Sequence, residues 1–578
     1  MENTFQNLSL GGNSHPRKLI VAIDFGTTYS GLAWAETTHP DYQNVIHHWP
    51  NSLQEWTTSP KVPTELRDTY TRWQWGFQIP NTAKKIKYFK LNLEIGVTTD
   101  GFSTENLTER YMKHMHAHLM YMLNSRLTSS VVKSTPIDYI LTVPAIWSEA
   151  AKHKTLTAAE NAGFRPINPT NVVTEPVGQL SYSIRRNSLS KLGIGNSVTV
   201  CDARGGTVDL ISYTVVQVHP RLDSMEATAG TGAMCGSSML NKNFQSHLKS
   251  HFGNDYWTDE RLTEANEDFE LFKKTFKPSG EPLTLRVEMD TNVELGVRRN
   301  RYTMSQEEMQ SRIFEPIIQD IINLVKEQLS SISTGVSAIL MVGGFGQSEY
   351  LKNRVQAAVS SSIYVLQPAD GWTAVVRGAA MMGISRASGG LGTVGVVSRI
   401  ARKHYGVELM TLFEHSRHDS RIAWWEKDWQ RYVVNAMTWF INKGNSIQEN
   451  QTCKIDFHVY ADIQEGVKVQ KCTIFANDGD STAPIHRNSN TTVLVNLSFD
   501  LDYLPHSELI KCEIKRHANG RLYYDVQGFV EARYGSAITT YTLNLNSEQG
   551  SNSLIDAGLR VMCRKNSRYH NRRTVDYK

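Results

Sequence analysis

The sequence predicts an α/β chain in which layered α/β structure fills the first two thirds and a β-rich region the last third. Apolar strands alternate with helical stretches up to about residue 386, the pattern of layered α/β domains. A turn of the form strand-Asp-Gly-Thr occurs twice, at Asp24 and at Asp202. Beyond residue 396 the hydrophobic period changes to two, which means strands with one buried face.

The first turn is Asp24-Phe25-Gly26-Thr27-Thr28-Tyr29-Ser30, leaving the apolar strand Ile20 to Ile23. Gly26 lets main chain approach a polyphosphate, the amides and hydroxyls of Thr27 and Thr28 donate to its oxygens, and Asp24 holds a metal through water. Alone, such a turn also reads as an ordinary hairpin. Recurrence separates the two readings: Val198 to Cys201 runs into Asp202-Ala203-Arg204-Gly205-Gly206-Thr207-Val208-Asp209, and two such turns can clamp one triphosphate. A third apolar strand, Ala338 to Val342, ends in Gly343-Gly344-Phe345-Gly346 before a helical stretch from Ser348 to Val359, where glycines let a base and ribose lie flat on main chain. Glu270, Lys273 and Lys274 share a helix face and can close over the same nucleoside; the competing reading is a solvated charged surface.

In this order the motifs resemble those of the actin-like ATPases and, within them, the seventy-kilodalton heat-shock (DnaK-type) chaperones. The likeness rests on Ile23 to Ser30, Leu141-Thr142-Val143-Pro144-Ala145 followed by a helix, Glu175-Pro176, Asp202 with Gly205 to Asp209, and Val342-Gly343-Gly344 with Gly378-Ala379-Ala380. It covers residues 18 to 386. It implies a two-lobed actin-like (ribonuclease H-like) ATPase domain that binds ATP or ADP with Mg²⁺. Asp24 and Asp209 would position the metal's water shell and Glu175 complete it. Asp202 would orient the attacking water or accept its proton, and Thr27 and Thr207 would bind phosphate. Tyr29, Arg204, Gly205, Gly206, Gly343, Gly344, Phe345 and Gln347 fall at nucleotide-contact positions of the pattern.

Two departures bear on turnover. Arg204 stands where the family has a glycine; a left-handed backbone there would cost about 1 to 2 kcal/mol, against roughly 8 kcal/mol for micromolar nucleotide binding. Binding survives that, whereas a shift of about 1 Å at a reacting centre loses on the order of a hundredfold in rate. Arg204 reaching the terminal phosphate as an arginine finger ranks second. The family's catalytic lysine falls near Ile79-Pro80, where none stands, with Lys84 or Lys85 as substitutes. Phe345 and Gln347 replace a polar and a basic residue around adenine; Phe345 either stacks on the ring or plugs the core.

A length of 578 residues exceeds one hydrophobic core. The expected divisions are a disordered segment 1–17, a nucleotide-binding domain 18–386, a linker 387–395, a β-rich partner-binding domain 396–546 and a basic tail 547–578. Gly390-x-Gly392-x-x-Gly395 reads as linker, because a dinucleotide fingerprint needs a strand before it and a helix after it. Cys453, Ile455, Phe457 and Val459 alternate with polar residues, Val493, Val495, Leu497 and Phe499 alternate with Leu494, Asn496 and Ser498, and Ile510, Cys512 and Ile514 continue the period. Asn519-Gly520 is a two-residue hairpin signal. Trp429 to Lys443 fits either an amphipathic helix or a strand. In the resemblance this end is similar to the chaperones' peptide-binding β-sandwich, and the 33 residues after Leu545 leave no room for the family's helical lid. Arg564, Lys565, Arg568, Arg572, Arg573 and Lys578 against Asp576 read as a solvated, frayed terminus rather than an anionic docking site.

Lys plus Arg at 61 against Asp plus Glu at 57 is too balanced for a nucleic-acid binder. With no run long enough for a membrane helix, no secretion signal and six cysteines without paired spacing, a soluble, cytoplasmic, reduced monomer is expected. Three functions stay open: a chaperone-like ATPase or nucleotide switch acting on polypeptides, favoured by the β-rich end; a nucleotide-binding scaffold without turnover, favoured by Arg204 and the missing lysine; and, behind both, an actin-fold sugar kinase.

Overall fold

A computed structural model describes residues 17–545, apart from 53–55, 82, 186–191, 219–221, 369, 389–393, 464–469, 500–511 and 536, together with residues 575–577. Two sheets in it share one plan. In the first, Leu19–Asp24, Tyr29–Glu36 and His39–Val45 form an antiparallel meander, and Ile137–Val143 and Val172–Thr174 add in parallel on the far side of Leu19–Asp24. In the second, Ser197–Ala203, Val208–Gln217 and Leu222–Glu226 repeat the meander, while Ala338–Val342 and Tyr364–Leu366 repeat the parallel pair. The apolar runs seen in the sequence are the central strands, buried at every position as strands covered on both faces must be. Asp24 and Asp202 therefore close equivalent strands of a duplicated unit.

Helices Glu175–Arg185 and Ala374–Ala387 lie between the sheets, with Val177, Leu180, Val376 and Ala379 packed in one core against strands of both lobes. They cross at glycines, since a Cβ on Gly378 would fall on the carbonyl of Gly178. Thr104–Leu127 and Glu149–Asn161 cover the outer side of the first lobe, and Ser237–Phe252, Asp259–Thr275 and Glu315–Ser330 that of the second. The helix expected from Ser348 runs Glu349–Ala358, with Ser348 Oγ accepting from the Leu351 amide at 3.3 Å.

The linker reading changes at its far end. Val394–Ile400 is a strand, parallel to Leu222–Glu226 and antiparallel to Ser446–Gln448, so Val394 and Gly395 extend the second sheet. The meander's last strand offers an open ladder edge, and pairing it satisfies backbone groups on both sides. Residues 389–393, with most of the glycine-rich run, lie outside the described residues, as do 1–16.

The β-rich end holds two sheets, one ordered Trp424–Glu426, Arg431–Ile441, His404–Leu412, Gln470–Asn477, Thr491–Phe499 and Val575–Tyr577, the other built on Thr452–Asp462 and Leu522–Tyr534 with Glu513–Arg516 and Thr539–Leu545. Val407, Ile474 and Val495 from the first and Ile455, Val526 and Val530 from the second make one core, a β-sandwich. The Trp429–Lys443 ambiguity resolves as strand. Asn519-Gly520 lies in a hairpin, but the loop spans five residues, His517 to Arg521, with the Gly520 amide bonded to the His517 carbonyl and only Gly520 at positive φ (92°). Ile514 is exposed, because Glu513–Arg516 is an edge strand. The tail, expected to fray throughout, contributes Val575–Tyr577 to the first sheet; its residues 547–574 and 578 lie outside the described set. Cys201, Cys235, Cys453 and Cys472 are free thiols. Among the described residues no helix is long and apolar enough to cross a membrane.

Candidate functional site

The two Asp-headed turns meet. A Cβ on Gly205 would collide with the Thr28 side chain, and one on Gly206 would stand 3.0 to 3.1 Å from Thr27. Glycine is needed there because the loops touch; neither position has a positive φ, and neither does Arg204, so the left-handed strain considered for Arg204 does not arise. Arg204 instead opens a four-residue turn closed by its own amide on the Thr207 carbonyl at 3.0 Å.

Its side chain folds back into the cleft. Arg204 Nε donates to both oxygens of Asp202 at 2.9 and 2.8 Å, and Nη1 lies 3.2 Å from Asp24 Oδ1 and 3.1 Å from Glu175 Oε1. Lys61 Nζ donates to Asp24 Oδ2 at 2.6 Å, and Lys90 Nζ to Glu175 Oε1 at 3.1 Å. Lys90 also stands 5.1 Å from the Trp147 ring centre and 5.6 Å from that of Phe25. All six side chains are buried or nearly so. The lysine sought near Ile79-Pro80 is thus corrected: Lys84 pairs with Asp100 and Lys85 with Glu65, while Lys61 and Lys90 enter the cleft.

Burial would raise the Asp24 carboxyl, but Lys61 and Arg204, with Lys90 behind them, hold it well below the usual carboxylate range. At Glu175 burial outweighs Arg204 and Lys90, and the carboxyl rises. Asp209, one strand position across from Asp202, is pushed up to about 7 by burial and by the charges of Asp202 and Glu175, although Thr207 Oγ1 donates to its Oδ2 at 3.1 Å. Within this cluster of charged side chains, Arg204 Nη2, Glu175 Oε2 and Asp209 Oδ1 are buried without a hydrogen-bond partner among the described residues.

The expected Mg²⁺ shell fits these residues poorly. Asp24 has Lys61 on one oxygen and Arg204 on the other, and both oxygens of Asp202 hold Arg204 Nε. Among the described residues no group of three or more acids, histidines or cysteines is arranged to hold a metal ion. The two free carboxylate oxygens belong to the acids whose burial favours the proton.

Around the position expected for a base, Gly343 (φ 81°) lets main chain pass against the Ala203 carbonyl, and a Cβ on Gly344 would stand 3.6 Å from the Trp372 indole nitrogen. Of the two readings open for Phe345, the core plug is the one found: its side chain belongs to the second lobe's core. Gln347 Nε2 is buried without a partner among the described residues. Trp372, not singled out in the sequence, meets Tyr29 of the opposite lobe edge to face with ring centres 5.3 Å apart. Glu270 and Lys273 pair with each other (2.6 Å) and with Asn241, and Glu270 adds to the burial that lifts Tyr29 and Tyr88 to about 12; this end of the helix borders the first turn. Lys274 is exposed. Gly26 donates its amide to Ser30 Oγ at 3.2 Å, which shapes the first turn.

A family model described as Hsp70 protein matches residues 75–389, more than half of the chain, and one for a domain of unknown function matches 399–477. Human heat shock 70 kDa protein 12A is 24% identical over 550 residues, covering 75% of this chain and 78% of the relative. Human heat shock 70 kDa protein 12B is 26% identical over 517 residues, covering 69% and 72%. A chaperone protein HscA homolog of Rickettsia prowazekii (strain Madrid E) is 23% identical over 306 residues, covering 53% of this chain and 45% of its own.

Proposed function

Because the chain belongs to the Hsp70 family, we propose that it binds ATP and ADP between its two lobes and uses the difference between them to set the β-sandwich's hold on a polypeptide partner, with hydrolysis slow or lost. The observation that carries this reading is the meeting of Asp24 and Asp202, the ends of equivalent strands in a duplicated unit, around one guanidinium. Thr27, Thr28, Gly205, Gly206 and Thr207 surround the polyphosphate, and Tyr29, Trp372 and Gly344 offer flat surface to the base.

Slow turnover follows from Arg204. A base must be free to take a proton, and Asp202 has both oxygens tied to an arginine at 2.8 to 2.9 Å. Coupling to the β-sandwich runs through Val394–Ile400, which sits in the second lobe's sheet, and through the first lobe, where Glu149 Oε2 accepts from the Thr539 amide at 3.2 Å. A ligand that favours one lobe closure shifts that docking by its differential affinity. For the partner, the sandwich offers a cavity of about 370 Å³ between its sheets, lined by Val407, Leu409, Ile455, Phe457, Cys472 and Val530, and the Rickettsia relative carries the name of a chaperone. The free thiols of Cys201, Cys235, Cys453 and Cys472 accord with a cytoplasmic setting.

Calorimetry with ATP and ADP, phosphate release, and limited proteolysis around residues 389–400 test the reading together. The expected outcome is nucleotide binding, little phosphate release, and a cleavage pattern that differs between ATP and ADP. Absence of nucleotide binding sinks the reading; identical cleavage in every state sinks the switch.

A further inference from the structure

Of the acids expected around a divalent cation, Asp24, Asp202 and Glu175 are already engaged by the chain's own cations, and Asp209 has one oxygen on the Thr207 hydroxyl. Arg204 occupies the space between Asp24, Asp202 and Glu175, Lys61 takes the remaining oxygen of Asp24, and Lys90 shares Glu175 Oε1. Three acids face three buried cations, so charge is matched before a ligand enters. Magnesium demands a near-octahedral oxygen shell and is usually held by one or two carboxylates together with phosphates. To reach Asp24 or Asp202 it would have to expel a guanidinium whose side chain is only 12% exposed, leaving that charge buried and unpaired.

One donor of that guanidinium is unspent. Arg204 Nη2 is buried without a partner among the described residues, on a planar group whose Nε and Nη1 are already fixed by carboxylates. A locked fork with one free NH₂ group is a preorganised donor for a phosphoryl oxygen. We propose that Arg204, backed by Lys61 and Lys90, takes the place of the divalent cation, so that the cleft binds the polyphosphate of a nucleotide in its metal-free form, with Arg204 Nη2 donating to a phosphoryl oxygen. The inference rests on the nucleotide reading above and deepens it: the ligand is ATP⁴⁻ or ADP³⁻, not its magnesium complex.

The test is titration of the full chain with ADP and with ATP, by calorimetry and by a fluorescent ADP analogue, once in EDTA and once in excess Mg²⁺. Dissociation constants in the two buffers are expected to agree within about threefold. A loss of about tenfold or more in EDTA overturns the metal-free site and leaves nucleotide binding standing; no binding in either buffer overturns nucleotide binding itself and this inference with it. Mg²⁺ alone should not raise the thermal midpoint of the native chain, and a saturable rise would count against the proposal. Arg204→Gly should uncover the three acids, so that nucleotide affinity falls in EDTA and recovers with Mg²⁺; the same affinity as the native chain in EDTA would overturn the role given to Arg204. Should that variant not fold, Arg204→Lys keeps the charge but loses the fork, and is expected to weaken binding by a similar factor in both buffers; unchanged binding would again overturn it.

Discussion

Gly378 and Gly178 touch backbone to backbone, with the carbonyl of Gly178 lying where a Cβ on Gly378 would sit. These glycines belong to the two helices that separate the sheets, and the same core holds strands of both lobes. The contact sets how closely the lobes approach. Gly378→Ala should cost about 1–3 kcal/mol through overpacking, more than the small helix-propensity gain of alanine returns. Urea unfolding measures this, and a variant as stable as the native chain would show that the helices can slide apart freely.

Lys61 and Lys90 each balance one buried acid that Arg204 also contacts. Lys61→Met leaves Asp24 with Arg204 and with Thr142 Oγ1 at 3.4 Å. The expected loss is therefore below the ~3–5 kcal/mol of a fully orphaned buried charge, yet well above a surface substitution. Adding Asp24→Asn should restore part of it, since the unpaired charge is then gone. A double-mutant cycle by denaturant unfolding reads the coupling, and strict additivity would refute it.

What the sequence made legible was local. Strand Leu19–Asp24, the two Asp-headed turns, the helix beginning at Ser348 and the alternating face of Thr452–Asp462 each depend on residues close together in the chain, where period and turn chemistry act directly. Lys61 meets Asp24 across 37 residues and Lys90 meets Glu175 across 85. No spacing rule announces such pairs, which exist only once both lobes have packed. A neighbouring motif points to Ile79-Pro80 for a lysine, short of Lys90, which meets Glu175 only in the fold. Phe345 was ambiguous for the same reason, because an aromatic between glycines looks alike in sequence whether it faces a ligand or a core. Ile514 kept the alternation of a buried strand although it lies at a sheet edge, where neighbouring strands decide exposure.

Glu226 fastens Val394–Ile400 to the second lobe. Its Oε2 accepts from the Ile400 amide at 2.9 Å, and Oε1 lies 3.9 Å from Arg402 Nη2. Glu226→Ala should leave a poorly satisfied amide, costing about 1–3 kcal/mol locally, so amide exchange across 394–400 is expected to speed up roughly tenfold or more while Leu19–Asp24 is unaffected. Hydrogen–deuterium exchange by mass spectrometry follows both segments at once. Unchanged exchange in 394–400 would mean that ladder pairing with Leu222–Glu226 suffices.

Two buried groups should tilt stability with pH in opposite directions. His118 packs among Trp49, Trp56 and Trp75, bonds to the His48 carbonyl at 2.7 Å, and burial lowers its pKa. Below about 6.5 the unfolded chain then binds the proton more readily than the folded one, so this part of the stability is lost as pH falls. Asp209, raised to about 7, binds a proton more tightly when folded, and its contribution is lost as pH rises from the unfolded carboxyl's value through 7. His118→Gln should therefore compare better with the native chain at pH 5.5 than at pH 8, and Asp209→Asn better at pH 8 than at pH 5.5, the latter by an amount on the order of a few kcal/mol. Thermal midpoints of the three proteins at both pH values supply the comparison. Parallel curves for Asp209→Asn and the native chain would show that Asp209 stays ionised in the fold, and with it that the cleft holds one more negative charge than the ion network balances.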